Sequence, residues 1–309
     1  MQSALSPTLS ALLAGLGVVA SLAACDVTIK DGDVSVAHFQ GRATQEWNRK
    51  YPLAAGGRVE VVNINGPIEV SVGPAGEVTV AAVLTTRAMT EERAKQTLSE
   101  ASIEESATRD HIRVATARRD RRGSGGLQVA YKVTVPADTR VELSGNNGDL
   151  KADGVRGHVK AMMVNGDLEL TGLRGTVDAA SVNGELSVKM AEVTGRMRLE
   201  NTNGRISLEV PKDTKATLNV RSLNSRITVT GLDTQKVEGE RIRTLESALN
   251  GGGPEIDVRA THGRITISGV ESPGVQSPRV QSPESKESMS PTRPPRPPSP
   301  PSPPRPSSP

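Results

Sequence analysis

Val159-Lys160-Ala161-Met162-Met163-Val164-Asn165-Gly166-Asp167-Leu168-Glu169-Leu170 is the stretch that decides the fold. Apolar side chains recur at alternate positions on both sides of an Asn-Gly pair, which is the period of a half-buried strand. The same pair stands at Asn65, Asn147, Asn183 and Asn203, with degenerate versions at Asn224-Ser225 and His262-Gly263. From Asn147 the steps are 18, 18, 20 and 21 residues. A period this short and this regular signals stacked units.

The flanks keep register with the centres. Three residues after them stand Ile68, Leu150, Leu168, Leu186, Ile206, Ile227 and Ile265, and five after stand Val70, Ala152, Leu170, Val188, Leu208, Val229 and Ile267. Six before stand Val59, Val141, Val159, Val177, Met197, Leu218 and Ile256. Each unit reads as strand, tight Asn-Gly turn, strand, since both turn residues tolerate positive φ. Two architectures share this parity. In a β-solenoid each unit is one coil, and equivalent side chains stack about 4.8 Å apart. In an antiparallel meander or sandwich each unit is a hairpin. The constant period favours the solenoid, with Asn147, Asn165, Asn183, Asn203 and Asn224 forming an internal ladder of shared amide hydrogen bonds.

Other regions frame the array. Residues 9–24 are an uncharged apolar run ending in Leu22-Ala23-Ala24, directly before Cys25, the sole cysteine. The run is short for a membrane span and fits an export signal over residues 1–24. Its end resembles a bacterial lipobox, which implies a lipid on the Cys25 sulfur. Residues 1–8 contain no Lys or Arg, so the α-amino group is the only positive charge there. Residues 25–56 read as a linker with short strands, and 57–270 as the repeat domain. Thr90 to Ser106 reads as a helix with Thr90 as N-cap and Ala94, Leu98 and Ala101 on one face. Together with strand-like runs at His111–Thr116 and Leu127–Val135, it forms a small α/β region expected to cap the open end of the array. Asp233 to Gly253 reads as one irregular coil with an insertion.

Residues 271–309 form a Pro/Ser-rich basic tail; 14 of the 21 prolines lie from Pro273 onward. Such a segment cannot bury a core and reads as disordered, extended chain reaching about 110 Å at about 3.1 Å per residue. From Pro273 onward it carries five basic and two acidic side chains, which accounts for the whole formal net charge of +3.

The run Gly166-Asp-Leu-Glu-Leu-Thr-Gly-Leu-Arg-Gly-Thr-Val177, the segment Val135-Pro-Ala-Asp-Thr139, and Gly251-Gly-Gly253 through Ile267 together resemble the bacterial putative-adhesin family with β-strand repeats. The resemblance covers about Gly57 to Gly269. It implies a β-solenoid-like domain in a cell-envelope protein, and it supplies no ligand or catalytic residue.

Chemistry is sparse. Phe39, Trp47, Tyr51 and Tyr131 are the only aromatics, so the coils hold none of the platforms common in sugar-binding β-helices. No basic stripe with aromatic platforms signals nucleic acid. The histidines His38, His111, His158 and His262 have no metal-site spacing, and no nucleophile elbow or phosphate loop is present. No cofactor is implied. One column has functional potential: Asp149, Asp167 and Glu185, continued by Arg205, Arg226 and Arg264, stand two residues after their centres. It could hold a weak cation or an acid pair for glycoside cleavage. As a plain solvated face it has acidic and basic halves, which is the commoner use of such a row. The sequence therefore points to a non-catalytic, lipid-anchored envelope protein acting as a binding, adhesin-like or scaffold module. Its partners would be the membrane through Cys25 and a wall polymer or envelope protein. A β-helix polysaccharide-acting enzyme and an envelope-stress or signalling accessory protein are the alternatives. Mass spectrometry of the mature N-terminus should find a diacylglyceryl modification on residue 25 that Cys25→Ser removes; an unmodified thiol there would contradict the lipobox reading.

Overall fold

The computed structural model describes residues 25–30, 33–38, 41–118, 126–234 and 243–271. The export signal and the Pro-rich tail lie outside the described residues. Strands β1 (Cys25–Lys30) and β2 (Asp33–His38) pair antiparallel in a small sheet of their own. The main sheet system contains β3 (Gly41–Pro52), β4 (Arg58–Asn65), β5 (Ile68–Val72), β6 (Glu77–Ala88), β7 (Ala101–Ala107), β8 (His111–Arg118), β9 (Gln128–Val135) and β10 (Arg140–Asn147). It continues through β11 (Leu150–Asp153), β12 (Val159–Asn165), β13 (Leu168–Arg174), β14 (Val177–Glu192), β15 (Met197–Pro211), β16 (Ala216–Thr230), β17 (Thr244–Leu249) and β18 (Glu255–Val270). Helix α1 (Glu91–Glu100) lies between β6 and β7.

The chain winds as a parallel β-solenoid with two walls. The first wall, before the Asn-Gly corner, runs β7-β8-β4-β10-β12-β14-β15-β18-β16-β17. The second, after the corner, runs β3-β6-β9-β5-β11-β13-β14-β15-β18-β16. Every step between coils is parallel, and in register at the corner, Asn147 opposite Asn165 and Asn165 opposite Asn183; β13 and β14 shift register past Leu170. The meander alternative is thereby excluded, because hairpins would make these pairs antiparallel.

The core is a set of aliphatic columns. Val141, Val159, Val177 and Met197 stack in the first wall at 2% exposure or less, facing Leu150, Leu168, Leu186 and Ile206 at 0% in the second. Val155 and Leu173 close the connecting side. Each such side chain contributes about 1.5–3 kcal/mol through burial.

At the corner, Gly66, Gly148, Gly166, Gly184, Gly204 and Gly263 have φ between 112 and 145°, whereas the neighbouring asparagines do not enter positive φ. Only the glycine of each pair uses that freedom. The decisive reason is steric: a Cβ on Gly166 would fall on the carbonyl oxygen of Gly148, and one on Gly263 would fall on that of Gly204. Coils can approach to strand spacing because this column has no side chains.

Four expectations are corrected. The last coils do not stack in chain order: β18 inserts between β15 and β16, so Asn203 faces His262 and His262 faces Asn224. Ser225 stands opposite Gly263 at the glycine position of the outermost coil, without the positive φ of the glycine corners. The segment read as an irregular coil instead holds β17, which pairs antiparallel with β16 and covers the first-wall edge over Ala216–Arg221. The helix ends at Glu100, with Thr90 Oγ1 accepting from Arg93 N at its start. Ala101–Ala107 is an edge strand on β8, because a hydrogen-bonded partner outweighs weak helix propensity there. The linker and short strands expected over 25–56 hold the short β1 and β2, but from Gly41 the chain is the long β3, which pairs with β6 along its full length from Gly41 to Pro52.

The α/β region covers the first coil. Buried Asn63 donates to Gly66 O and Val129 O at 3.0 and 2.7 Å and accepts from Thr116 Oγ1 at 2.9 Å. Thr116 in turn meets the Tyr131 hydroxyl at 2.8 Å. Burial pushes the Tyr131 phenol up to about 12. The knot satisfies polar groups that the end of the stack would otherwise strand. Gly166→Ala should lose about 3 kcal/mol or more in urea denaturation. Gly126→Ala, whose Cβ meets nothing within 4 Å, should change stability by less than about 0.5 kcal/mol. Equal effects would contradict the steric account.

Candidate binding surface

The asparagine ladder exists as a chain of amide hydrogen bonds along one corner. Nδ2 of Asn147, Asn165, Asn183 and Asn203 donates to the preceding Oδ1 of Asn65, Asn147, Asn165 and Asn183 at 2.8, 3.0, 2.9 and 3.1 Å. Its position differs from expectation in two respects. The asparagines from Asn147 onward are exposed, so the ladder runs along an outer edge rather than inside. Asn224 does not join Asn203, because the inserted coil puts His262 between them; Asn224 Nδ2 lies 3.3 Å from His262 Nε2. The interior of the corner belongs to the residue two positions earlier, such as buried Asn201, which donates to Gly184 O at 3.0 Å and Arg205 O at 3.3 Å.

The carboxylate column is also tied into the stack. Asp149 Oδ1 accepts from Asp167 N at 3.2 Å, and Asp167 Oδ1 from Glu185 N at 2.8 Å. Arg205 Nη1 meets Glu185 Oε2 at 2.9 Å and ends the acidic run. Arg205, Arg264 and Arg226 then lie side by side across β15, β18 and β16. Asp149 and Asp167 thus each bind the next coil's backbone through one carboxylate oxygen, and the Glu185 carboxylate binds the next coil through Arg205. Ion pairs Lys151–Glu169 at 3.0 Å and Lys189–Glu209 at 3.4 Å repeat this pattern on the second wall. Such exposed pairs contribute little each.

Among the described residues, no three His, Cys, Asp or Glu side chains converge as metal ligands. His158 Nδ1 lies 2.6 Å from Thr176 Oγ1 of the next coil, a structural bond. Trp47 packs on the core beneath Arg49, whose guanidinium carbon is 5.2 Å from the ring centre. The Tyr51 hydroxyl donates to Glu105, and burial and that carboxylate push its titration up. Cys25 begins β1, opposite His38.

Two surface features emerge that sequence reading missed. Met162, Val164 and Val182 form an exposed apolar strip beside the ladder, at 48, 40 and 39% exposure. A cleft of about 470 Å³ lies on the first wall between β15, β18, β16 and the start of β17, with Glu200, Arg221, Arg243 and Arg259 among its lining. Arg259 and Arg221 stand at one offset from their corners, three residues before His262 and Asn224. That offset was readable in the spacing, but the grouping with Arg243 depends on β17.

A two-walled parallel solenoid with a glycine column and an external asparagine ladder places this chain among the β-strand-repeat proteins. More narrowly, it belongs to the Toastrack DUF4097 family, which matches residues 68–268. No curated protein matches the chain. Among solved structures it is similar to a "putative cell adhesion protein" from Clostridium sporogenes at 12% identity and TM-score 0.44, covering 74% of this chain and 100% of that one. It is also similar to a "putative adhesin" from Bacteroides fragilis at 10% identity and TM-score 0.36, covering 73% and 97%.

Asn183 both donates and accepts within the ladder, so Asn183→Ala should lose about 1–2 kcal/mol. Asn224→Ala, at the outermost rung, should lose less than about 0.5 kcal/mol. Denaturant midpoints that fall equally for both would contradict a continuous ladder.

Proposed function

We propose that this chain is a non-catalytic, lipid-anchored cell-envelope protein whose solenoid serves as a binding, adhesin-like or scaffold module. The observation that carries the reading is the fate of the acidic column. Asp149, Asp167 and Glu185 are the best catalytic candidates in the array, and they hold neighbouring coils together instead of converging on a substrate-sized space. What the fold offers a partner is a rigid surface on which outward side chains repeat at about 4.8 Å. Binding to such a surface adds many weak contacts along an extended ligand, with little ordering cost on the protein side.

The polymer-facing reading also fits the anchor. A lipid on Cys25 would hold the module beside a membrane, where envelope polymers are concentrated. The mature chain should co-sediment with purified cell-wall sacculi and release no reducing ends or unsaturated sugars. Asp149→Asn, Asp167→Asn and Glu185→Gln should lower its melting temperature and leave product release absent. Sugar release that these substitutions abolish would contradict the binding reading and favour a polysaccharide-acting enzyme.

A further inference from the structure

We propose that the cleft lined by Arg221, Arg243 and Arg259 binds the phosphate or carboxylate groups of a hydroxylated anionic polymer; this rests on the reading of the domain as a binding module. The cleft is built by the inserted coil. Glu200, Arg259 and Arg221 are lateral neighbours on three adjacent strands, β15, β18 and β16. Arg221 also faces Thr244 at the start of β17, and Ser222 N donates to Arg243 O at 2.7 Å, which brings Arg243 alongside.

The charges do not balance within this group. Arg259 is neutralised by Asp257 at 2.6 Å and Glu200 at 3.5 Å. Arg221 and Arg243 have no carboxylate partner among the described residues. Arg221 and Arg243 are brought together by the pairing of β16 with β17, so an anion held between them supplies the counter-charge that the described residues lack. Guanidinium groups suit the task because they meet carboxylate or phosphate oxygens two at a time.

Thr202, Thr244 and Thr261 line the same cleft, and a threonine hydroxyl can donate to and accept from sugar or polyol hydroxyls. The space, about 470 Å³, exceeds what a single phosphate needs and is open to solvent, so a chain can pass through it.

Position argues for a polymer over a membrane. The second wall counts ten strands from β3 to β16, so the coil carrying Arg221 stands about 43 Å from β3 at about 4.8 Å per strand. The chain enters the domain at β3, the end nearest Cys25 in sequence. A module anchored there presents the cleft at its other end.

Binding of the full mature chain to polyphosphate and to polygalacturonate, with neutral dextran as the blank, tests the assignment. The two polyanions separate a phosphate from a carboxylate source. Fluorescence anisotropy of the labelled polymers should show binding to at least one of them, weakening as salt rises. The double variant Arg221→Gln/Arg243→Gln should bind it about ten-fold more weakly or worse, with its melting temperature unchanged. A second variant, with Arg279, Arg293, Arg296 and Arg305 of the tail changed to Gln, should keep at least half of the affinity. Unchanged binding by the double variant overturns the cleft while leaving a binding module intact. Binding by neither polymer overturns the cleft assignment, and co-sedimentation with sacculi then decides the binding module by itself. Capture by phosphatidylglycerol vesicles alone, lost in the double variant, overturns the polymer in favour of a lipid surface.

Discussion

The repeat depends on one steric exclusion: at the glycine corners, the carbonyl oxygen of one coil occupies the space where the next coil would carry a Cβ. Glycine permits this approach, and its positive φ aims the backbone so that the parallel ladder continues around the bend. With the corner fixed, the period-two alternation places every inward side chain over its equivalent in the coil below. The aliphatic columns, the amide ladder and the acid-to-backbone bonds are consequences of that register. They add stability, and none of them could form if neighbouring coils were held further apart.

The same constraint explains how the stack ends. At the first coil, no repeat lies below Gly66, and the carbonyl of Val129 on β9 takes the place of the missing glycine's. Asn63, Thr116 and Tyr131 then settle the stranded polar groups. At the other end, Ser225 closes the column opposite Gly263. β17 shields the first-wall half of that last coil. Ile227 and Val229, on the second-wall half, stay partly exposed.

Much of this was legible in residues. The spacing of Asn147, Asn165, Asn183 and Asn203 yields the coil, and the alternation of Val159, Ala161, Leu168 and Leu170 yields its two walls. The order of the last coils depends on which strands pair, β18 with both β15 and β16, and the spacing of Asn203, Asn224 and His262 carries no signal for it. The helix boundary was missed because Ala101 continues the helical face, while the pairing that makes it a strand comes from β8, distant in sequence. β3 was missed because its alternation is diluted by polar residues between Ala43 and Tyr51, and its partner β6 supplies the order. The arginine cleft was invisible for the same topological reason, since only the inserted coil and β17 bring Arg221, Arg243 and Arg259 together.

Coil order is therefore the point where the account is most exposed. Disulfide trapping on a Cys25→Ser background tests it, using pairs of cysteines at Ser207, Thr266 and Thr228, which lie in one row across β15, β18 and β16. Adjacent rungs at about 4.8 Å are within disulfide reach, and rungs two apart are beyond the limit of about 7 Å. The account predicts rapid crosslinking of 207 with 266 and of 266 with 228, and none of 207 with 228. Efficient crosslinking of 207 with 228 would mean that the coils stack in chain order, and would contradict it.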